Sequence, residues 1–399
     1  MVRDPRRAAG HAPHLSEIAA LAGVAALGVV AGGTAVAFAI ARKAVSPQQR
    51  RIADVQVHAV SRTAQTITLG RTPDTVLPGR YGLFVNGSRG YLKLGSVVAE
   101  DDRTVTRKLL THIASGERIA RAASFSGWYY DEPAQLHVPF RDVTVRAPVG
   151  ECPAWFFPPE GDGPRDTWVI AVHGRGTVRA EVLRAVPVFR ALGLPTLTVS
   201  YRNDGEAPRS SSGRYGLGAT EWRDVDAAIA YARTRGARRV VIMGWSMGGA
   251  IALQTALNSA QSDMIAGLIL DSPVVDWRLV LGFQARALHV PSPVTHVAIR
   301  QLTMPGWSRV VRSGESISLN DLDVVRRADE LRQPILVMHS DDDGFVPSDA
   351  SHGLAEARPD LVTLSAWKEA RHTKLWNYDE ARWAETMRSW LIEQDIVTP

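Results

Sequence analysis

The chain has 399 residues, 45% of them hydrophobic, so it is long enough for more than one domain and can bury a large core. Its 46 Lys and Arg against 41 Asp and Glu give a formal net charge of +5, and no basic stripe is interleaved with aromatic residues, so nucleic acid is not expected as a partner. The single Cys152 excludes an internal disulfide and is interpreted as a packed thiol.

The first predicted element is a transmembrane helix over residues 18–41, after an N-terminal tail of residues 1–17. The run 18–41 contains no charged residue, and as a helix at 1.5 Å per residue it would be about 35 Å long, enough to cross the hydrocarbon core of a bilayer. A signal peptide cleaved near residues 35–39, which would make the protein secreted, is the alternative. Basic residues flank both ends in similar number, so the side of the membrane that holds the rest of the chain stays open.

Residues 42–139 are predicted to form a β-rich extension. Short alternating runs at 66–69, 82–85 and 91–94 are separated by turn-forming residues, and the pair Asn86-Gly87 indicates a hairpin. The extension could cover an active site, bind a partner or act as a spacer, and the sequence leaves these three interpretations open.

Strands and helices alternate in the C-terminal part of the chain, after an antiparallel pair predicted at 143–145 and 154–157. Further strands are predicted at 169–172, 196–199, 239–243, 267–270, 334–339 and 361–367, with helices at 180–192, 220–235 and 250–257. This βαβ rhythm predicts an α/β fold, a mostly parallel sheet with helices on both faces.

Two further features of this part concern its surface. Asp224 and Asp226, on the helix predicted at 220–235, are interpreted as capping and solvent-facing residues.

Residues 273–315, between two predicted strands, are expected to form a helical lid, whose aromatic residues could line a substrate pocket or simply pack.

The most specific motif is Gly244-Trp245-Ser246-Met247-Gly248-Gly249, between the strand at 239–243 and the helix at 250–257. Glycine is needed two positions to either side of Ser246, because a side chain there would collide with the neighbouring strand or helix in so sharp a turn. The turn is predicted to hold Ser246 in a strained conformation, with its hydroxyl above the sheet and a helix N-terminus beneath it.

A candidate acid and a candidate base follow this serine along the chain. The strand at 334–339 ends in a loop with three adjacent aspartates, Asp341, Asp342 and Asp343, and the last predicted strand is followed by a loop that carries His372. The order Ser246, Asp343, His372 is that of α/β-hydrolases and differs from the order in the chymotrypsin and subtilisin groups.

With these elements the chain resembles the α/β-hydrolase family over about residues 140–395, and the catalytic domain is expected at 140–399. The segment at 339–347 is similar to the family's H-G-x-x-D-x-x-V-P segment, with Ser340 in place of glycine, and alignment on Val346-Pro347 selects Asp343 as the acid. Asp271 is the other position at which some relatives carry the acid, but its context is interpreted as a cap or turn.

The resemblance also implies an oxyanion hole made by the backbone N–H groups of Met247 and Arg175. Arg175 lies in His173-Gly174-Arg175-Gly176, which looks like the family's H-G-x-G loop and in which the histidine is expected to be structural. The Arg175 side chain either contacts an acidic or carbonyl group of the substrate or is solvated or braces the core. Together with the residues at 201–205, the serine motif is similar to the serine aminopeptidase and prolyl-oligopeptidase-like branch.

The sequence therefore predicts a membrane-anchored serine hydrolase that cleaves an ester, thioester or peptide bond of a small-molecule or peptide substrate through an acyl-enzyme on Ser246. His372 would be the general base and Asp343 would orient it. The chain has no H-E-x-x-H or C-x-x-C motif, so neither a metal nor an organic cofactor is expected. The alternatives are an acyltransferase that uses the same acyl-enzyme and a non-catalytic binding or scaffold protein that keeps the fold; protein partners are not indicated.

Overall fold

The computed structural model describes residues 34–48, 51–114, 116, 118–161, 166–304 and 317–398. Helix α1 covers residues 34–45 and buries Ala37, Ala41 and Val45, spaced four residues apart, in the core of the C-terminal domain. The predicted membrane span of residues 18–41 overlaps α1, and its residues before 34 lie outside these ranges, as does the predicted tail. Within the ranges given, no helix is both long enough and apolar enough to cross a membrane.

The β-rich extension contains a closed antiparallel barrel, in the strand order β1-β2-β5-β4-β3-β6 among the residues described. Its strands are β1 (Val55–Ser61), β2 (Thr66–Gly70), β3 (Tyr81–Val85), β4 (Gly90–Glu100), β5 (Thr104–Leu109) and β6 (Ala122–Ser126). Alternate residues such as Ile67 and Leu69 fill the interior, as the period-two pattern predicts. The hairpin predicted at Asn86-Gly87 is confirmed, since it joins β3 to β4.

The C-terminal domain is built on a mostly parallel sheet in the order β7-β8-β10-β9-β11-β12-β13-β14 over the described ranges. The strands are β7 (Arg141–Ala147), β8 (Gly150–Phe157), β9 (Thr167–Val172), β10 (Thr196–Val199), β11 (Arg239–Trp245), β12 (Ile265–Asp271), β13 (Ile335–Ser340) and β14 (Val362–Trp367). β8 pairs antiparallel with both β7 and β10, and the pairs from β10 to β14 in this order are parallel. The central strands are continuous apolar runs because helices cover both faces, and the predicted α/β fold is confirmed.

The helices that follow α1 in chain order are α2 (Val186–Ala191), α3 (Trp222–Thr234), α4 (Met247–Asn258), α5 (Trp277–Ala287), α6 (Ser292–Thr303), α7 (Asp349–Ala357), α8 (Leu375–Tyr378) and α9 (Glu380–Glu393). The helix predicted at 180–192 begins instead with a 3-10 segment, Arg179–Ala185, before α2.

The assignment of Asp224 to a capping or solvent-facing role was wrong. Asp224 is buried, and its carboxylate accepts bonds from Arg202 Nε at 2.8 Å and from Arg202 Nη2 at 2.7 Å. A buried pair of this bidentate kind satisfies both charges and ties the loop after β10 to α3.

The insert between β12 and β13 contains α5 and α6, and its residues 305–316, including Trp307, lie outside the described ranges. Trp277 at the start of α5 is buried and donates to Leu217 O at 2.7 Å, so it packs in the core and does not line an open pocket. Gln284 on the same helix donates to Phe345 O at 2.6 Å, which connects the insert to the loop after β13.

Candidate active site

Ser246 lies at the turn between β11 and α4, in a backbone conformation with φ 51°. A Cβ added at Gly244 would lie 2.3 Å from Gly248 O, and one at Gly248 would lie 2.3 Å from Val172 O on β9. The predicted need for glycine at both positions is confirmed, because the turn brings backbone against backbone. The left-handed φ at a non-glycine residue is a strained conformation of the kind that functional sites hold.

The structure brings the three residues of the predicted order together. His372 Nε2 lies 3.0 Å from Ser246 Oγ, and His372 Nδ1 lies 2.6 Å from Asp343 Oδ2. Ser246 is buried, with 7% of its surface exposed to solvent, and the Asp343 side chain is fully buried. A hydroxyl, an imidazole and a carboxylate in this sequence of hydrogen bonds can move a proton from the hydroxyl while the carboxylate orients the imidazole.

The three adjacent aspartates have different partners. Asp341 binds Ser348 and His352, Asp342 contacts Arg371, and only Asp343 reaches His372. Asp343 Oδ1 also accepts the backbone N–H groups of the residues at 345 and 346, each at 2.8 Å. This turn orients the third carboxylate of the three toward the histidine.

The electrostatic surroundings keep Asp343 ionised. Burial by itself would raise the pKa of this carboxyl, but the attraction of His372 and the hydrogen bonds from His339 and His372 hold its pKa well below the usual range. A carboxylate that keeps its charge next to an imidazole stabilises the imidazolium that forms during proton transfer.

Asp271, the other possible acid, has a structural role that differs from a cap. It ends β12, is fully buried, and accepts bonds from Trp383 Nε1 at 2.9 Å and Ser272 Oγ at 3.0 Å. Burial raises the pKa of this carboxyl, against the attraction of Arg184 and the hydrogen bond from Trp383. The carboxylate therefore anchors α9 and the residue after β12.

The loop at 173–176 lies beside the serine, since a Cβ added at Gly174 would be 3.3 Å from Ser246 Cβ. Its backbone is ordered by a residue that the sequence analysis missed, the buried Glu181, whose Oε2 accepts from Gly174 N at 2.7 Å and from Thr177 Oγ1 at 2.7 Å. No local pattern marked Glu181, because its role depends on the loop folding back over the following 3-10 segment.

His173 is fully buried behind this loop. Its ring stacks on Tyr201 with centroids 4.3 Å apart, and its Nε2 lies 3.1 Å from Asp204 Oδ2. The Tyr201 hydroxyl donates to Gly174 O at 2.9 Å. These contacts give the histidine and the residues at 201–204 a supporting position behind the loop.

The Arg175 side chain turns away from the serine toward α1. Its Nη2 donates to Lys43 O at 2.7 Å and to Ser46 O at 3.2 Å. A guanidinium at the carboxyl end of a helix satisfies carbonyls that have no partner within the helix. Of the interpretations left open by the sequence, the structure favours the one in which Arg175 braces the protein.

Two more residues near the histidine were not singled out from the sequence. The Phe345 ring lies 5.2 Å from the His372 ring, and Phe345 is 45% exposed, so an apolar surface adjoins the mouth of the site. Asp74, from the barrel, lies 3.1 Å from Arg371 Nε, next to the histidine in the chain. An exposed phenylalanine and a single aspartate carry no signal in one sequence that separates them from other surface residues.

Comparison with known proteins gives one family match in each part of the chain. The profile of the alpha/beta hydrolase family matches residues 169–395, more than half of the chain. The profile of a domain of unknown function, DUF8805, matches residues 56–126, which are those of the barrel. A search of curated proteins finds no match.

Two solved structures of esterases are similar to about two thirds of this chain. The esterase Pf2001 from Pyrococcus furiosus matches with a TM-score of 0.51 and 17% identity, over 66% of this chain and 94% of that chain. Est1E from Butyrivibrio proteoclasticus matches with a TM-score of 0.47 and 16% identity, over 64% of this chain and 99% of that chain. At 17% identity the likeness to Pf2001 concerns the fold alone.

Proposed function

The chain belongs to the alpha/beta hydrolase family and is a serine hydrolase, and from that premise we propose that it cleaves carboxylic esters through an acyl-enzyme on Ser246. The proposal rests on one observation, the chain of hydrogen bonds from Ser246 Oγ to His372 Nε2 at 3.0 Å and from His372 Nδ1 to Asp343 Oδ2 at 2.6 Å. Thioesters and peptides are substrates of the same chemistry, and esters are placed before peptides because an alkoxide leaves more easily than an amide nitrogen.

In the proposed mechanism, His372 Nε2 accepts the hydroxyl proton as Ser246 Oγ attacks the carbonyl carbon. Asp343 stabilises the imidazolium. The N–H groups of Met247, at the first position of α4, and of Arg175 would donate to the oxyanion of the tetrahedral intermediate, each with an effect of about 3 kcal/mol on the barrier. The imidazolium then protonates the leaving alkoxide, and a water molecule, deprotonated by His372, releases the acid from Ser246.

The test is labelling with a fluorophosphonate, which phosphonylates a serine only when its hydroxyl is activated. The parent and Ser389→Ala, which removes a serine of α9 away from the site, are expected to label and to hydrolyse p-nitrophenyl esters, and Ser246→Ala is expected to do neither. If the folded parent neither labels nor turns over any ester, the chain is the non-catalytic protein of the alternative hypothesis. Products formed in the presence of an alcohol acceptor separate hydrolysis from acyl transfer.

We also propose that residues 18–41 anchor the protein in a membrane, on the basis of their length and lack of charge. Because Ala37 and Ala41 are buried in the core of the catalytic domain, the end of this run packs against that domain, and an anchor formed by its earlier residues would hold the domain directly at the bilayer. Extraction of membranes with carbonate at high pH is expected to leave the full chain in the pellet. Release into the supernatant would contradict the anchor, and an N-terminus of the mature protein near residue 37 would favour the signal peptide.

A further inference from the structure

The loop that carries His372 has a strained backbone. This histidine loop, residues 368–374, joins β14 to α8, and the residues on either side of His372 have left-handed φ angles, 60° at Arg371 and 51° at Thr373. Such a conformation at a non-glycine residue costs about 1–2 kcal/mol and persists only when the surroundings hold it. The contacts of Arg371 and its neighbours therefore bear on where the imidazole lies.

One barrel carboxylate contacts the cations on both sides of the histidine. The docking loop, residues 71–80 between β2 and β3, places Asp74 Oδ1 at 3.1 Å from Arg371 Nε and Asp74 Oδ2 at 3.4 Å from Lys374 Nζ. Arg371 Nη1 also lies 3.1 Å from Asp342 Oδ1. Arg371 thus joins the barrel to the loop that carries the acid.

The docking loop also meets the residues that follow the histidine loop. Arg80 N donates to Asn377 O at 3.3 Å, and Asn377 Nδ2 donates to Arg80 O at 2.7 Å. A Cβ added at Gly79, whose φ is 97°, would lie 1.8 Å from Asn377 O. The backbone of the barrel loop is therefore in direct contact with α8, and Asp74 is held against a fixed surface.

The barrel fixes the shape of the docking loop from within. Arg107 on β5 is fully buried, and its guanidinium donates to Thr75 O at 2.9 Å, Leu77 O at 2.7 Å and Gly79 O at 2.7 Å. Burial lowers the pKa of Arg107 to about 10. One interior cation thus satisfies three carbonyls of the loop that carries Asp74, so the loop is tied to the barrel interior.

Charge gives Asp74 a second effect on the reaction. Arg371 and Lys374 carry two positive charges within two residues of an imidazole that becomes positively charged when it takes the serine proton, and like charges nearby disfavour that state. The Asp74 carboxylate offsets them. The side chain of Arg371 is 22% exposed, that of Lys374 is 11% exposed and that of Asp74 is 31% exposed. Solvent therefore screens the attraction between Asp74 and the two cations less than it screens a fully exposed ion pair.

We propose that Asp74 is a positioning residue for the catalytic histidine and that the barrel braces the histidine loop through the docking loop. This inference rests on the proposed function of Ser246, Asp343 and His372. This role differs from the three left open for the β-rich extension, which were to cover the active site, bind a partner or act as a spacer, and it makes the extension a part of the catalytic apparatus.

The experiment compares three full-length variants. Asp74→Asn is expected to lower kcat for a p-nitrophenyl ester about five- to tenfold with KM unchanged within about twofold, because the carboxylate acts through His372 and not on the substrate. Asp74→Glu, which keeps the charge, is expected to restore kcat to within about twofold of the parent. Asp102→Asn is the matched control, since Asp102 is exposed in the turn between β4 and β5.

A second readout follows the histidine itself. The rate of fluorophosphonate labelling is expected to fall by the same factor as kcat in Asp74→Asn, and the downfield NMR signal of the His372 Nδ1 proton is expected to broaden or shift. Equal kcat in Asp74→Asn and Asp102→Asn, a change in KM alone, or a loss that Asp74→Glu shares in full would overturn the proposal. Failure of the parent to label would overturn the proposed function and the brace with it, whereas an active parent with an equally active Asp74→Asn overturns only the brace.

Discussion

The serine turn and the histidine loop supply the two partners of one proton transfer, and they are held in different ways. The serine turn is enclosed by backbone, with Gly248 against β9 and Gly244 against the start of α4. The histidine loop is held by side chains from distant parts of the chain, among them Asp74 and Arg184. A backbone enclosure depends on a short run of glycines, whereas a loop held by side chains depends on how separate elements dock.

The largest effect is expected where the histidine meets the acid. Asp343→Asn should lower kcat by about 10³- to 10⁴-fold, because the amide neither orients the imidazole in the required tautomer nor stabilises its charge. This loss of kcat is measured by steady-state ester hydrolysis. Asp342→Asn, one residue away and bound to Arg371, should lower kcat only a few-fold. Full turnover by Asp343→Asn would show that another carboxylate is the acid.

The next effect tests the backbone enclosure of the serine turn. In Gly248→Ala the new methyl group would lie 2.3 Å from Val172 O, so the turn must shift. We expect a loss of about 3 kcal/mol in the free energy of unfolding and at least a hundredfold loss of kcat/KM. Gly282→Ala on α5 is the control, since no atom lies within 4 Å of its added Cβ, and it should be neutral or stabilise by up to about 1 kcal/mol. If Gly248→Ala and Gly282→Ala had the same stability and the same kcat/KM, the serine turn would not depend on its backbone enclosure.

Arg184 tests the side-chain support of the histidine loop. Its Nη1 donates to Thr373 O at 2.9 Å and to Asn377 Oδ1 at 2.8 Å, so Arg184→Met leaves one partly buried and one buried acceptor without this donor. We expect a loss of about 2–3 kcal/mol in stability together with about a tenfold lower kcat. The control is Arg190→Met, which removes another buried arginine, bonded to Pro158 O away from the site, and should lower stability without lowering kcat. If Arg184→Met kept the kcat of the parent, Arg184 would contribute to the stability of the protein and not to the position of the histidine.

The smallest effect on catalysis is expected at Arg175. Since its proposed role in the oxyanion hole uses the backbone N–H, Arg175→Ala should change kcat less than about fivefold. Loss of the bonds to Lys43 O and Ser46 O should instead raise hydrogen exchange and protease cleavage in residues 34–48. A hundredfold loss of activity with unchanged exchange in this segment would favour the substrate-contact interpretation.

Local patterns were enough to predict much of the fold and the serine turn of the site. The alternation of strands and helices predicted the parallel sheet, and the glycine spacing around Ser246 predicted a turn in which added side chains would collide. These features depend on residues close together in the chain, whose periodicity and φ preferences can be read directly.

Predictions that needed a partner far along the chain were weaker. Asp224 was assigned a capping or solvent-facing role because its partner Arg202 lies 22 residues earlier, in a separate loop. The direction of the Arg175 side chain likewise depends on carbonyls 129 and 132 residues away.

By itself the sequence determined the α/β architecture, the serine turn and the order in which serine, aspartate and histidine occur, because these follow from local patterns and from their order along the chain. The choice of Asp343 among three aspartates came from a family resemblance, and the structure places that carboxylate at the histidine. Only the tertiary structure showed that a barrel residue reaches the histidine loop. Asp74 and Arg371 are separated by 297 residues, so their contact exists only once the barrel and the sheet have each folded and docked.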